Sequence, residues 1–360
     1  MRNKRMFAVL LAAGTMAAGM MVGASEASAE AATEAVTEAA EASQEDAASE
    51  EAGDAEIAGD RAVVVQVGSL KGPTSMGLVS MMQRADNGET AHEYEFTMVT
   101  AADELLGKVV SGDMDIALVP ANVASVLYNK TQGGVRVIDI NTLGVLYIVE
   151  SGDTVHSVED LKGKTLYLTG KGTTPDYAIQ YLLGQHGLTT DDVTLEYKSE
   201  ATEVVSVLTE DETAIGLLPQ PFVTVAGMQN ENLRTALDLT QEWEAVAGED
   251  GGSLVTGVTV ARTDFIEENA DVISDFLGEH EASAAYTNEN PAEAAELIAG
   301  LEIVAKAPIA QKAIPFCNIT YIDGSEMQED LSGYLQVLYD MEPASVGGAL
   351  PGEDFYYVND

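Results

Sequence analysis

Positive charge is scarce in this sequence. Its 360 residues carry 17 Lys+Arg against 60 Asp+Glu, a formal net charge of −43. A polyanion repels phosphate backbones, so a basic nucleic-acid face is not expected, and docking to anionic lipid through basic residues fails for the same reason. Cysteine is nearly absent. Cys317 is the only one, so no intrachain disulfide can form. Within Phe316-Cys317-Asn318-Ile319 it reads as a small buried apolar residue rather than a reactive thiol. The four histidines, His92, His156, His186 and His280, are isolated, with no metal-ligand spacing. Nucleotide fingerprints fail as well. Gly163-Lys164-Thr165 ends like a P-loop, but Val158 stands where the first Gly belongs, and Pro175 replaces the third Gly after Gly170-Lys171-Gly172. No Gly-x-Ser-x-Gly occurs. Neither catalysis, a metal nor a cofactor is expected.

Hydrophobic residues, by contrast, are plentiful at 46%, and the length allows about two domains with a sizeable core. Charge and core are therefore separated along the chain. Residues 1–29 read as a secretory signal: Arg2, Lys4 and Arg5 precede an apolar run, and Ala27-Ser28-Ala29 is the cleavage site. Residues 30–60 hold 11 acidic residues, 11 Ala and no Lys or Arg, the composition of a solvated, disordered tether. The three parts carry net charges of +2, −11 and −34. The acidity of the body reads as solubility of an exported protein.

Strand and helix patterns alternate from residue 62. Ala62 to Val67 is a β-branched run ending at Gly68, Tyr94–Val99 and Asp115–Val119 are further strands, and helical periodicity lies between them. Val135–Ile140 and Val145–Val149 follow. The pattern restarts near 150 with strands at Thr165–Leu168, Val193–Tyr197 and Ala214–Leu218, and Leu237–Leu239 closes this half. Leu254–Ala261 is the last expected strand, and only helices are expected beyond it, over Asp264–Ala285, Pro291–Ile303, near Ile309 and Ser325–Met341. Two sets of strand–helix units imply an α/β protein with mainly parallel sheets flanked by helices. The terminal helices need a sheet to cover, and the first one is their natural partner.

In each set a strand ends in a Lys-bearing Gly loop before a helix: Gly68-Ser69-Leu70-Lys71-Gly72-Pro73-Thr74, and Thr169-Gly170-Lys171-Gly172-Thr173-Thr174-Pro175. Ligands of open α/β sheets collect at the carboxyl ends of strands, where helix N-termini offer free N–H groups. Two equivalent loops could close on one small anionic or zwitterionic solute from opposite sides.

The order of signal, acidic tether, two α/β sets and helical return resembles the type II solute-binding proteins of ABC importers. Asp160-Leu161-Lys162-Gly163-Lys164-Thr165, Pro219-Gln220-Pro221 and Gly68 to Ser75 resemble segments of the nitrate/sulfonate/taurine and thiamine-pyrimidine-precursor branch. The resemblance implies a type II periplasmic-binding-protein fold with a cleft between two lobes. Lobe one would be 61–149 plus 251–360, and lobe two 150–250. Ser69, Lys71, Gly72, Pro73, Thr74, Ser75 and Asn122 would line the first lobe, and Gly172, Thr173, Thr174 and Gln220 the second. Thr142 and Thr256 would lie at the hinge crossings. The implied partners are a small solute, sulfonate-like first and a pyrimidine precursor second, and an ABC permease with its ATPase. A monomer, exported to the periplasm or cell surface, is expected. An enzyme or a sensor domain on the same fold is the alternative. The lipid-bearing Cys common in Gram-positive members is missing.

Overall fold

A computed structural model describes residues 63–100, 102–248 and 252–358. The signal and the tether expected above lie outside the described residues. The described chain opens with β1 (Val64–Leu70), a one-turn helix α1 (Pro73–Met76) and α2 (Val79–Asp86). Two more strand–helix units follow: β2 (Glu93–Val99) with α3 (Ala102–Ser111), and β3 (Ile116–Pro120) with α4 (Ala121–Thr131). Then β4 (Val135–Leu143) passes almost directly into β5 (Leu146–Glu150). The middle of the chain holds β6 (Thr165–Leu168), α5 (Thr174–Gln185), β7 (Thr194–Tyr197) and α6 (Ala201–Glu210). It continues with β8 (Ile215–Pro219), α7 (Phe222–Gln229), β9 (Arg234–Asp238) and α8 (Leu239–Ala247). The last part is β10 (Val255–Arg262), α9 (Thr263–Glu268), α10 (Ala270–Glu289), α11 (Pro291–Gly300), α12 (Ala307–Ala313), β11 (Ile319–Ile322) and α13 (Gly324–Met341).

The strands form two sheets, ordered β11-β4-β10-β3-β1-β2 and β7-β6-β8-β5-β9. The anticipated parallel pairs are present: β1 with β2 and β3, and β6 with β7 and β8. The strands next to the crossings, β4, β5 and β10, pair antiparallel, as do β9 and β11. Both sheets are therefore mixed rather than mainly parallel. A chain that leaves one sheet at its C-terminal edge and enters the next must run the opposite way there.

Side chains alternate across each strand, so each sheet feeds two cores. In β3, Ile116 and Leu118 pack with Phe276 and Met81 of α10 and α2, while Ala117 and Val119 face a cluster holding Leu105, Leu127 and Leu335. That second cluster does not stop at the first sheet. It runs on through Tyr334 and Trp243 to Leu146, Leu166, Ile179 and Leu217 of the second. On its other face the second sheet has a core of its own, with Tyr147, Val204 and Leu218.

Three local expectations need correction. A strand does follow β10: Ile319-Thr320-Tyr321-Ile322, all β-branched or aromatic, adds to the edge of β4. The helix expected over Asp264–Ala285 is two helices, parted at Asn269, whose backbone is non-helical. And β1 runs past Gly68 to Leu70, because a Cβ at 68 would lie only 2.2 Å from Leu105 Cδ1 and Gly lets helix α3 pack closely there.

Candidate functional site

The geometry of the site follows from strand direction. On the first sheet β1 and β3 end, β4 ends and β10 begins on one edge, the row Ser69, Leu118–Pro120, Gly257, Thr142, Ile319. On the second sheet β6, β8 and β9 end and β5 begins on one edge. The chain passes between those edges twice, at Leu143–Leu146 and from Asp238 through α8 to Val255. The loops after β1 and β3, and those after β6 and β8, therefore flank the same two crossings.

The first loop is tightly ordered. Ser69 and Ser75 are buried, with their hydroxyl oxygens 2.7 Å apart, and Thr74 Oγ1 donates to the Leu70 carbonyl at 3.1 Å. These hydroxyls are thus engaged within the loop itself, and Thr74 offers only lone pairs to anything else. Gly72 precedes the one-turn helix and Pro73 opens it, so Thr74 and Ser75 lie inside the helix rather than capping the longer one. The loop rests on the crossing strands: a Cβ on Gly257 would lie 2.6 Å from both Thr74 Cγ2 and Asn141 Oδ1. Lys71 is exposed, and its N–H donates to the Val99 carbonyl at 2.9 Å. Thr142 is fully buried and donates to Asn141 Oδ1 at 2.9 Å. The buried Thr256 hydroxyl, from the other crossing, has no hydrogen-bond partner. Asn122 lies in the first turn of α4, where no side chain caps the helix, and donates to the Ser345 carbonyl at 3.3 Å.

In the second sheet the loop is organised by a residue the sequence reading passed over. Asp176, buried in the first turn of α5, accepts the Gly172 N–H at 2.7 Å and the Tyr197 hydroxyl at 2.6 Å. Its signal was present, since an acidic residue in the first turn of a helix matches the partial positive charge there. One donor expected to be free, at Gly172, is therefore spent. Thr173 Oγ1 donates to the Gly170 carbonyl at 2.6 Å. Lys171 stands over the Tyr197 ring, its Nζ 5.7 Å from the centroid. Gln220 is buried, and its Oε1 accepts the Thr224 hydroxyl at 2.9 Å and the Thr224 N–H at 3.3 Å, in the first turn of α7.

Thr174 is met from the first sheet's own helices. The hydroxyl of Tyr334, on α13, faces Thr174 without a hydrogen-bond partner, and burial pushes its pKa up to about 12. Tyr334 stacks at 5.7 Å on Trp243, which lies 4.4 Å from Tyr181 of α5. Asn122 and the 172–174 loop are thus both gathered by α13 and the turn that follows it. The 69–76 loop sits instead on the α10 face, where Thr287 of α10 donates to the Met76 carbonyl at 3.1 Å. Among the described residues no hydrogen bond joins 69–75 to 172–174.

Comparison with known proteins places this geometry. A family profile described as "NMT1/THI5 like" matches residues 108–294, just over half of the chain. A binding protein of Brucella abortus (strain 2308) is 22% identical over 217 residues, 60% of this chain and 65% of that protein. The chain thus spans about 65% of the length of the curated relatives it matches. Among solved structures, an ABC transporter protein from Parabacteroides distasonis superposes with a TM-score of 0.69 at 23% identity, covering 82% of this chain and 99% of that one. The periplasmic aliphatic sulphonate binding protein SsuA from Escherichia coli gives 0.64 at 16% identity, covering 82% and 92%. At such identities the likeness is one of fold, and the fold is that of the periplasmic binding proteins.

Proposed function

The chain belongs to the NMT1/THI5-like family, and from that membership and the geometry above we propose that it is the solute-binding component of an ABC-type importer. It acts outside the cytoplasmic membrane, takes up a small solute between two lobes, and presents the closed form to a permease and its ATPase. The lobes are 61–149 with 251–360, and 150–250. The observation that carries this reading is the shared placement of both strand-end edges at the two crossings of the chain, since units so joined close by hinge motion. The reading is of a binding protein without catalysis, in keeping with the name its Brucella relative bears.

The solute is small and zwitterionic or anionic, with a sulfonate first. Lys71, Lys171 and the uncapped N-terminus of α4 favour a negative group. The Thr74 hydroxyl, limited to accepting, and the Asp176 carboxylate favour a solute that also donates. This combination fits a taurine-like molecule better than bare nitrate. The likeness to a sulphonate-binding structure supports the same order.

A thermal-shift and calorimetric screen with taurine, ethanesulfonate, nitrate and an aminopyrimidine tests it. At 100 times its dissociation constant a bound solute stabilises by about 2.7 kcal/mol. Taurine or ethanesulfonate is expected to do so, with Lys171→Ala weakening the effect about tenfold, of the order of one charge-assisted hydrogen bond. Stabilisation by the aminopyrimidine alone would reassign the solute class, with the half-buried Tyr177 as its stacking partner. No response to any of the four would overturn the sulfonate reading.

A further inference from the structure

Helix α10 carries a buried polar stripe. His280, Ser283 and Thr287 are all buried and follow the i, i+3, i+7 spacing of one helix face. The three reach α1, α2 and the strand behind them, while His280 Nε2 is left without a hydrogen-bond partner. The Thr287 hydroxyl proton is shared between the Met76 carbonyl at 3.1 Å, at the end of α1, and the Ser283 carbonyl of its own helix at 3.0 Å. Ser283 Oγ accepts the Met81 N–H at 3.0 Å, in the first turn of α2. His280 Nδ1 lies 3.0 Å from Asp139 Oδ2, both residues being fully buried. From Asp139 the chain of bonds continues across the sheet: Thr259 donates to Asp139 at 2.7 Å, and Asn141 to Thr259 at 3.1 Å. Asn141 is the group that accepts from Thr142 and borders Gly257 beneath Thr74. The 69–81 segment is therefore bonded to α10 through Ser283 and Thr287, and α10 is in turn tied to β4 and β10 through His280, Asp139 and Thr259.

Apolar residues would fill this interface at least as well energetically. Buried polar groups cost desolvation, and what they add is a single allowed geometry. We propose that His280, Ser283 and Thr287 are positioning residues, which fix the 69–81 segment so that its loop meets the solute in one arrangement. The proposal rests on the reading that this loop lines the solute cleft. It makes loop geometry depend on residues some 200 positions further along the chain, which come from the C-terminal part of the described sequence.

Site-resolved amide hydrogen exchange of Ser283→Ala, Thr287→Val and Thr287→Ser, with taurine affinity measured on each, tests it. In Ser283→Ala and Thr287→Val the amides of 74–82, Met81 above all, are expected to exchange at least tenfold faster, while those of β3 and β10 keep their wild-type rates. Taurine affinity is expected to fall at least tenfold in both, and Thr287→Ser, which retains the hydroxyl, to restore both readouts. Acceleration spread evenly over the first sheet would mean a general loss of stability and would overturn the proposal. So would unchanged exchange at 74–82 in both Ser283→Ala and Thr287→Val. If wild-type protein shows no affinity for taurine, the solute assignment fails, and the exchange pattern still decides the positioning role.

Discussion

Single residues set sharp limits here. Gly252 has φ +59°, and a Cβ there would lie 2.3 Å from the Asp330 carbonyl and 2.9 Å from the Tyr334 amide. Backbone cannot step aside as a flexible side chain would, so Gly252→Ala is expected to destabilise by about 2–3 kcal/mol, measured by urea unfolding. Glu150, nearly fully buried, gives a pH dependence. Burial pushes its pKa upward, but the Thr154 hydroxyl, the Val155 and Thr154 amides and the Arg234 guanidinium outweigh that and hold it below the usual carboxylate range. A carboxylate with a depressed folded pKa stabilises above its unfolded value of about 4.3, and loses that contribution as pH falls through the folded pKa. Glu150→Gln is therefore expected to melt lower than wild type at pH 7, by about 2 kcal/mol, with the gap narrowing below pH ~4 in melts across pH. Burial pushes the Cys317 thiol up to about 12. Its thiolate is scarce at pH 8, so native protein is expected to stay unlabelled by a disulfide reagent that reacts fully after unfolding.

At the scale of elements, α8 is the instructive case. Asp238 ends β9 and caps the helix, accepting the Thr240 N–H at 3.0 Å. Asp238→Ala is expected to cost about 1 kcal/mol in urea unfolding. The sequence reading stopped at Leu239 and left this helix out, although Asp238 followed by Thr240 and a periodic Leu239, Trp243 is a legible start signal. The alternating units from 62 to 239 were legible because each combines a β-branched run with a glycine-bearing turn and a periodic helix. What was not legible was pairing between distant segments. Nothing local in Ile319–Ile322 says that it joins β4, and nothing local says that β10 parts β3 from β4. For the site, the loops after β1 and β6 could be found by motif, while Asp176, Asn141 and the α10 stripe act through contacts between 4 and about 210 residues apart in sequence. Hydroxyls expected to meet a solute are committed to their own loop for a related reason: a tight turn must satisfy its backbone carbonyls, and Leu70 takes its donor from Thr74.

For the molecule as a whole, one apolar cluster links both sheets through Tyr334 and Trp243, and Trp243 is the only tryptophan. It is fully buried and donates from Nε1 to the Gly252 carbonyl at 3.2 Å, beside the second crossing. Its fluorescence is therefore expected to respond to solute binding without any label. A bound solute should shift its emission, and Tyr334→Phe should leave the apo spectrum blue-shifted, as a buried indole requires. An unchanged spectrum at saturating solute would mean that this aromatic contact is not coupled to solute binding. Elsewhere, Met228 and Phe316, 47% and 53% exposed, border an open recess of about 500 Å³ between α7 and the end of α12. The strand order also bears on how the protein is made. The second sheet is contiguous, so a growing chain can complete it as soon as β9 emerges. The first sheet must wait, because β10 lies between β3 and β4 and stays unavailable until residue 262 has been synthesised. The half of the protein translated first is therefore the half that finishes folding last.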